Sequence, residues 1–169
     1  AVETAIKLAR KWGVLKKGIS ENQAEIVVCQ NNFHGRTTTI VSFSSDPVAK
    51  KDFGPFTPGF ITIPYNDSVA LEKVLNERPN IIGFLVEPIQ GEAGVNTPSD
   101  DFMRKSQELC NTYNILFIAD EIQTGIGRTG SLLAVCGDCS CKSLCMQQKE
   151  TYARPDVLIL GKALGGGVY

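Results

Sequence analysis

"DEIQTGIGRTG", residues 120 to 130, decides how this chain is read. Glycines at 125, 127 and 130 reproduce the G-x-G-x-x-G spacing of a dinucleotide-binding turn. Such a turn follows its strand at once and opens a helix, because the pyrophosphate rests on the helix N-terminus. Here Asp120 and Glu121 stand directly after the apolar run "ILFIA" (115 to 119), where a dinucleotide turn has no use for an acid. Either the glycine spacing or the carboxylates mislead.

Working outward, "ILFIA" is one of five short apolar or β-branched runs. The others are "EIVVC" (25 to 29), "FITI" (60 to 63), "IIGFLV" (81 to 86) and "VLIL" (157 to 160). Runs apolar on both faces are strands covered from both sides. Between them lie helical stretches. "SVALEKVLN" (68 to 76) follows a capping Asp67, and residues 99 to 113, starting near Ser99, place Phe102, Ser106, Leu109, Cys110 and Tyr113 on one face. "AVETAIKLARKWG" does the same with Val2, Ala5, Ile6, Ala9 and Trp12 before Gly13. Strands alternating with helices predict an α/β fold, a mostly parallel sheet with helices on both faces. With no linker, repeat or low-complexity tract, residues 1 to 169 read as a single domain.

Composition fits that class: 169 residues, 43% apolar, 17 basic against 18 acidic side chains. A net charge of −1 gives no electrostatic basis for binding nucleic acid or an anionic membrane, which leaves small polar or zwitterionic ligands. No apolar run approaches the roughly 18 residues that cross a bilayer. The chain opens in a helix with no cap before it and stops after a glycine run. It is therefore read as the middle of a longer protein, any targeting peptide lying outside it.

In open parallel sheets, ligands bind beyond the carboxyl ends of the strands. "IIGFLV" runs into Glu87, "ILFIA" into Asp120 and Glu121, and "VLILG" into Lys162. One polar residue there marks only where a strand leaves the core; three such exits, a lysine and carboxylates among them, mark a site. A lysine ending a buried strand is partly desolvated, which disfavours its ammonium form and frees an amine for Schiff-base chemistry. Gly165, Gly166 and Gly167 would let a flat ligand approach the backbone closely. Asp120 supplies the complement, since a pyridine nitrogen in a protein interior keeps its proton beside a carboxylate, and that proton makes pyridoxal phosphate an electron sink.

"NFHGRT" (32 to 37), "VEPIQGEAG" (86 to 94), "DEIQTGIGRTG" (120 to 130) and "PDVLILGKALGGG" (155 to 167) resemble, in order and approximate spacing, the class III pyridoxal-phosphate aminotransferases. The resemblance covers almost the whole chain. It implies the central part of the large domain of a fold-type I transferase, with pyridoxal 5'-phosphate as cofactor. Within the class it is nearest to members that transfer the δ-amino group of L-ornithine to 2-oxoglutarate. It also implies amino-acid and 2-oxo-acid substrates, a homodimer in the full-length protein, and a mitochondrial-matrix or cytoplasmic location. In this family "GIGRTG" is a loop after the cofactor aspartate, and its glycine spacing coincides with the dinucleotide pattern.

By the same resemblance, Lys162 attaches the cofactor and shuttles the proton, and Asp120 holds the pyridinium. Phe33 and Ile122 cover the two ring faces, though both equally suit a core. Gln123 bonds the ring 3-oxygen. Arg36 grips a substrate carboxylate through a bidentate fork. Glu92 is the switch carboxylate that masks a second arginine, one that lies beyond Tyr169. His34, the sole histidine, sits beside the substrate in a packing role, because Lys162 covers the proton transfers. Glu87 and Glu121 support the site from behind. An isolated 169-residue piece is expected to be inactive.

Residues 136 to 150 interrupt the family pattern as a Cys-rich insertion, "CGDCSCKSLC", with Cys136, Cys139, Cys141 and Cys145. C-x-x-C-x-C-x-x-x-C lacks the paired knuckles of structural zinc sites, so a surface loop of reduced thiols is expected over a metal site. Two other activities remain open within the class, on acetylornithine and on 4-aminobutyrate, as does a non-catalytic module that merely binds the cofactor.

Overall fold

The computed structural model describes residues 1–136 and 153–166. Five strands, β1 (Glu25–Cys29), β2 (Phe60–Ile63), β3 (Ile81–Val86), β4 (Leu116–Asp120) and β5 (Val157–Ile159), form one sheet in the order β2-β1-β3-β4-β5. Every pairing is parallel. The first three strands have the bounds of their apolar runs. β4 begins and ends one residue later than "ILFIA", because Asp120 still pairs with Ile159 in the ladder. A polar side chain at the end of a strand costs the backbone pairing nothing.

Helices cover both faces, as the two-sided apolar strands require. On one face α1 (Val2–Trp12) buries Val2, Ala5, Ile6 and Ala9 against Ile26, Val28, Ile82, Leu85 and Ile118. On the other, α4 (Ser68–Glu77) and α5 (Phe102–Thr112) bury Leu71, Leu75, Phe102 and Cys110 against Val27, Phe84, Val86 and Phe117. Alternate residues of each strand serve alternate faces, so all six residues of the central β3 are buried, whereas edge strand β2 is only partly covered. Truncating Phe84 or Phe117 to alanine would cost about 3–5 kcal/mol. Gly13 opens a π-helical turn, Gly13–Lys17, where a Cβ would come within 2.4 Å of Ile82 Cγ2. Its missing side chain lets the end of α1 approach β3.

Capping follows the sequence at α4, where Asp67 Oδ1 accepts from Ala70 N at 2.8 Å. It departs from the sequence at α5, which begins at Phe102, because Ser99 spends its N–H and hydroxyl on Asn66 Oδ1 and so belongs to the preceding loop. Two short helices, α2 (Thr38–Ser42) and α3 (Pro47–Lys50), follow β1. Residues 122–130 are a succession of turns closing in a bend, with Ile126, Gly127 and Gly130 at positive φ, not a helix, as the carboxylates of the opening stretch implied. Among the described residues no helix is long and apolar enough to cross a membrane.

The strand order reverses direction between β1 and β3. In open parallel sheets that switch point, outside the carboxyl ends, is where a crevice forms.

Candidate active site

At the switch point, β1 and β3 are tied together beyond their ends. Glu87, the residue after β3, sends Oε2 back to accept the Phe33 N–H at 2.9 Å. Tyr65 anchors the same turn by donating its hydroxyl to the carbonyl oxygens of Glu87 (3.2 Å) and Pro88 (2.9 Å). Burial pushes the Glu87 carboxyl up to about 7, against the pull of His34 and the Phe33 N–H; Asp120 and Glu92 add to the rise. Burial likewise raises the Cys29 thiol and the Tyr65 phenol.

Asp120 ends β4 and is 5% exposed. Its two oxygens are separately fixed: Oδ1 accepts from Ile122 N at 3.1 Å, and Oδ2 lies 2.7 Å from His34 Nδ1. The other ring nitrogen of His34, Nε2, is buried with no hydrogen-bond partner among the described residues. Next along, Glu121 is fully buried, accepting from the Thr124 hydroxyl and from Val135 N at 2.6 Å. These bonds fold the glycine-bearing loop back over the strand end. Glu121 is therefore spent on the loop.

Lys162 departs from the expectation of a desolvated strand-end lysine. β5 stops at Ile159, and Lys162 opens a short 3-10 turn, Lys162–Gly165, with its side chain exposed. Its φ of 43° is left-handed, a conformation that costs a non-glycine residue about 1–3 kcal/mol and that clusters at functional sites. Nζ donates to Gln123 Oε1 at 2.8 Å. Ile122 is half-buried beside the same turn, where a Cβ on Gly161 would meet Ile122 Cγ2 at 3.1 Å. Asp120, Ile122, Gln123 and Lys162 are thus gathered on the tips of the adjacent strands β4 and β5.

Phe33, His34, Arg36 and Glu92 form a second group, lining a cavity of about 570 Å³ whose far wall is α2 and α3. The Arg36 guanidinium lies 5.8 Å from the centre of the Phe33 ring, a cation–π distance. Arg36 and Glu92 are both exposed. The two groups meet at the His34–Asp120 contact. No sequence signal foretold that contact, since the partners lie 86 residues apart. Of the Cys-rich insertion, Cys139, Cys141 and Cys145 lie outside the described residues, and Cys136 closes the 3-10 turn Ala134–Cys136. Among the described residues no cluster of three or more His, Cys, Asp or Glu forms a metal site.

The parallel five-stranded sheet with helices on both faces is the α/β architecture of the fold-type I transferases. The chain belongs to the class III aminotransferases, whose family model matches residues 1–169. It is 54% identical over 167 residues to the mitochondrial ornithine aminotransferase of Drosophila melanogaster, covering 99% of this chain and 36% of that protein. The solved ornithine aminotransferase of Toxoplasma gondii, described with partial occupancy of PLP at its active site, is 45% identical with a TM-score of 0.87, over 98% of this chain and 36% of that one. The solved acetylornithine aminotransferase of Elizabethkingia anophelis is 49% identical with a TM-score of 0.74, over 99% and 34%. The chain spans about a third of the length of the curated relatives it matches.

Proposed function

We propose that the protein carrying these residues uses pyridoxal 5'-phosphate to transfer the δ-amino group of L-ornithine to 2-oxoglutarate, giving glutamate 5-semialdehyde and glutamate. The observation that carries this reading is the pair of strand tips: Asp120, buried, with one hydrogen bond to each oxygen, beside Lys162, exposed and 2.8 Å from Gln123. This donor set fits the cofactor, with an accessible amine for its carbonyl, a held carboxylate for its pyridinium nitrogen and a half-buried aromatic ring, Phe33, at the same sheet edge.

When bound, the cofactor supplies an electron sink for charge developing at the substrate carbon. Lys162 would hold it through its amine, and Nζ would take and return the substrate proton. Asp120 would pair with the ring nitrogen, and His34, against Oδ2, fixes the direction in which that carboxylate points. Phe33 and Ile122 would cover the two ring faces. Gln123, which accepts from Lys162 here, would hydrogen-bond the ring 3-oxygen. Arg36, exposed at the cavity mouth, binds a substrate carboxylate in a two-pronged contact that a lysine would not reproduce. Glu92, on the same cavity, sets which substrate amine is presented by pairing with a second arginine.

Support for ornithine comes from relatives named for it at about half identity over the whole chain. Acetylornithine is the second reading, favoured by the 49% identity to the Elizabethkingia enzyme. The full-length protein is expected to show a visible absorbance band that ornithine bleaches and that Lys162→Ala abolishes. A band indifferent to ornithine would instead support a cofactor-binding module without catalysis. Rates with ornithine, acetylornithine and 4-aminobutyrate separate the three substrates. The same reading includes a homodimer, tested by sedimentation, and a mitochondrial location, in keeping with the names of the fly and rat relatives and tested by cell fractionation.

A further inference from the structure

Gly91 stands beside Glu92, and its φ lies outside the left-handed range in which glycine is conformationally required. Space is what requires it. A Cβ at position 91 would lie 2.3 Å from Gln123 Nε2 and 3.0 Å from Gln123 Cδ. One of the two residues would have to give way.

Gly91 is unable to recede. Its neighbour Gln90 is buried and exchanges two backbone hydrogen bonds with Asn96, each 3.0 Å, which close the neck of the hairpin that carries Glu92. Gln90 Nε2 donates to the Gln30 carbonyl at 2.7 Å, and Gln90 Oε1 accepts from Asn96 Nδ2 at 3.3 Å. On the other side, the backbone around Gln123 is pinned by Ile122 N to Asp120 Oδ1, by the Thr124 hydroxyl to Glu121, and by Gly125 N to the Glu121 carbonyl at 2.9 Å. Only the far end of the Gln123 side chain is left to move. The oxygen of that same amide accepts from Lys162 Nζ.

We infer that Gly91 is a positioning residue: its bare Cα is the slot that seats the Gln123 amide, beside Lys162 in this structure and facing the ring 3-oxygen in the holoprotein, and through it the Glu92 hairpin is mechanically coupled to the lysine turn. The inference rests on the reading of Lys162 as the cofactor-bearing amine. It assigns Gly91 no contact with substrate. A single added methyl group, meeting a flexible side-chain end and no core atom, should displace Gln123 while leaving the fold intact.

The test uses the full-length holoprotein and three variants, Gly91→Ala, Gln123→Ala and the double variant. Three quantities are read: the pH titration of the lysine-dependent visible band, kcat and KM for ornithine separately, and the thermal midpoint. Gly91→Ala should reproduce Gln123→Ala, with the band's titration shifted and kcat reduced by about 10- to 100-fold, the scale of a small misplacement at a reacting centre. Its melting midpoint should stay within about 2 °C of the parent. The double variant should be no worse than Gln123→Ala within about threefold, because both changes remove one contact. A Gly91→Ala protein that folds only when Gln123 is also trimmed supports the slot as well. An unaltered band and kcat in Gly91→Ala, additive losses in the double variant, or failure to fold even in the Gln123→Ala background would overturn it. If the parent protein itself shows no lysine-dependent band, the functional reading fails and this inference with it. A parent that shows the band beside an indistinguishable Gly91→Ala removes the inference alone.

Discussion

Asp120 and Lys162 lie at the carboxyl ends of adjacent parallel strands, Asp120 closing β4 and Lys162 three residues beyond the end of β5, and they are held in opposite ways. Asp120 is 5% exposed with both oxygens bonded, one of them to a buried histidine. Lys162 is exposed, sits on a left-handed turn, and donates a side-chain hydrogen bond to Gln123. The acid half of the site is therefore built into the core, so disturbing it should change stability and chemistry together. The amine half is carried on a turn outside the packed core of this sheet, so disturbing it should change chemistry more than packing.

Lys162→Ala is the severest trial of that contrast. Activity is expected to fall by about 10³-fold or more, while unfolding free energy in urea stays within about 0.5 kcal/mol of the parent. A stability loss of several kcal/mol would break the contrast. Asp120→Asn comes next, with activity expected to drop by about 10²- to 10³-fold and stability by about 1–3 kcal/mol, since a buried, doubly bonded group is altered. The same assay and urea titration check it. His34→Ala leaves Asp120 Oδ2 without its buried partner. It should lower stability by about 1–3 kcal/mol and activity by about tenfold, a larger structural than catalytic effect.

The smallest effect on activity is expected from Glu87→Gln, which sharpens the comparison through pH. Burial raises the Glu87 carboxyl from 4.5 to about 7, so the folded state holds this proton more tightly than the unfolded chain does. Stability from this group is fully present below pH 4.5 and is lost as pH rises to about 7, by about 3 kcal/mol in all. Glutamine keeps an oxygen for the Phe33 N–H but has no proton to lose. Urea titrations at pH 5 and pH 8 should therefore show a shallower fall for the variant, and an unchanged slope would mean that Glu87 does not titrate there.

Much of the frame was legible in the sequence because burial on two faces forces runs such as "IIGFLV" to be apolar throughout, and turn chemistry bounds them. Asp67 was legible as a cap for the same local reason. The end of β4 was not, since backbone pairing is indifferent to whether Asp120 or Ala119 stands last. At the site, the charged strand exits picked out Glu87, Asp120 and Lys162 individually, through a rule about where parallel sheets bind. Their partners were beyond reach of any local pattern. His34 meets Asp120, and Phe33 meets Glu87, only because β1, β3 and β4 lie side by side. The exposure of Lys162 follows from a strand that stops at Ile159, one residue short of its apolar run. Gly91 offered only its place in "GEAG"; its need for space became visible once Gln123 was seen across from it.

The central claim is that these two unlike halves serve opposite ends of one pyridine ring. It is tested most directly by nitrogen NMR of the full-length protein reconstituted with cofactor labelled at the ring nitrogen, compared between the parent and Asp120→Asn. The account predicts a protonated ring nitrogen in the parent and its loss in the variant, with the cofactor still bonded to Lys162 in both. A ring-nitrogen signal that Asp120→Asn leaves unchanged would contradict it.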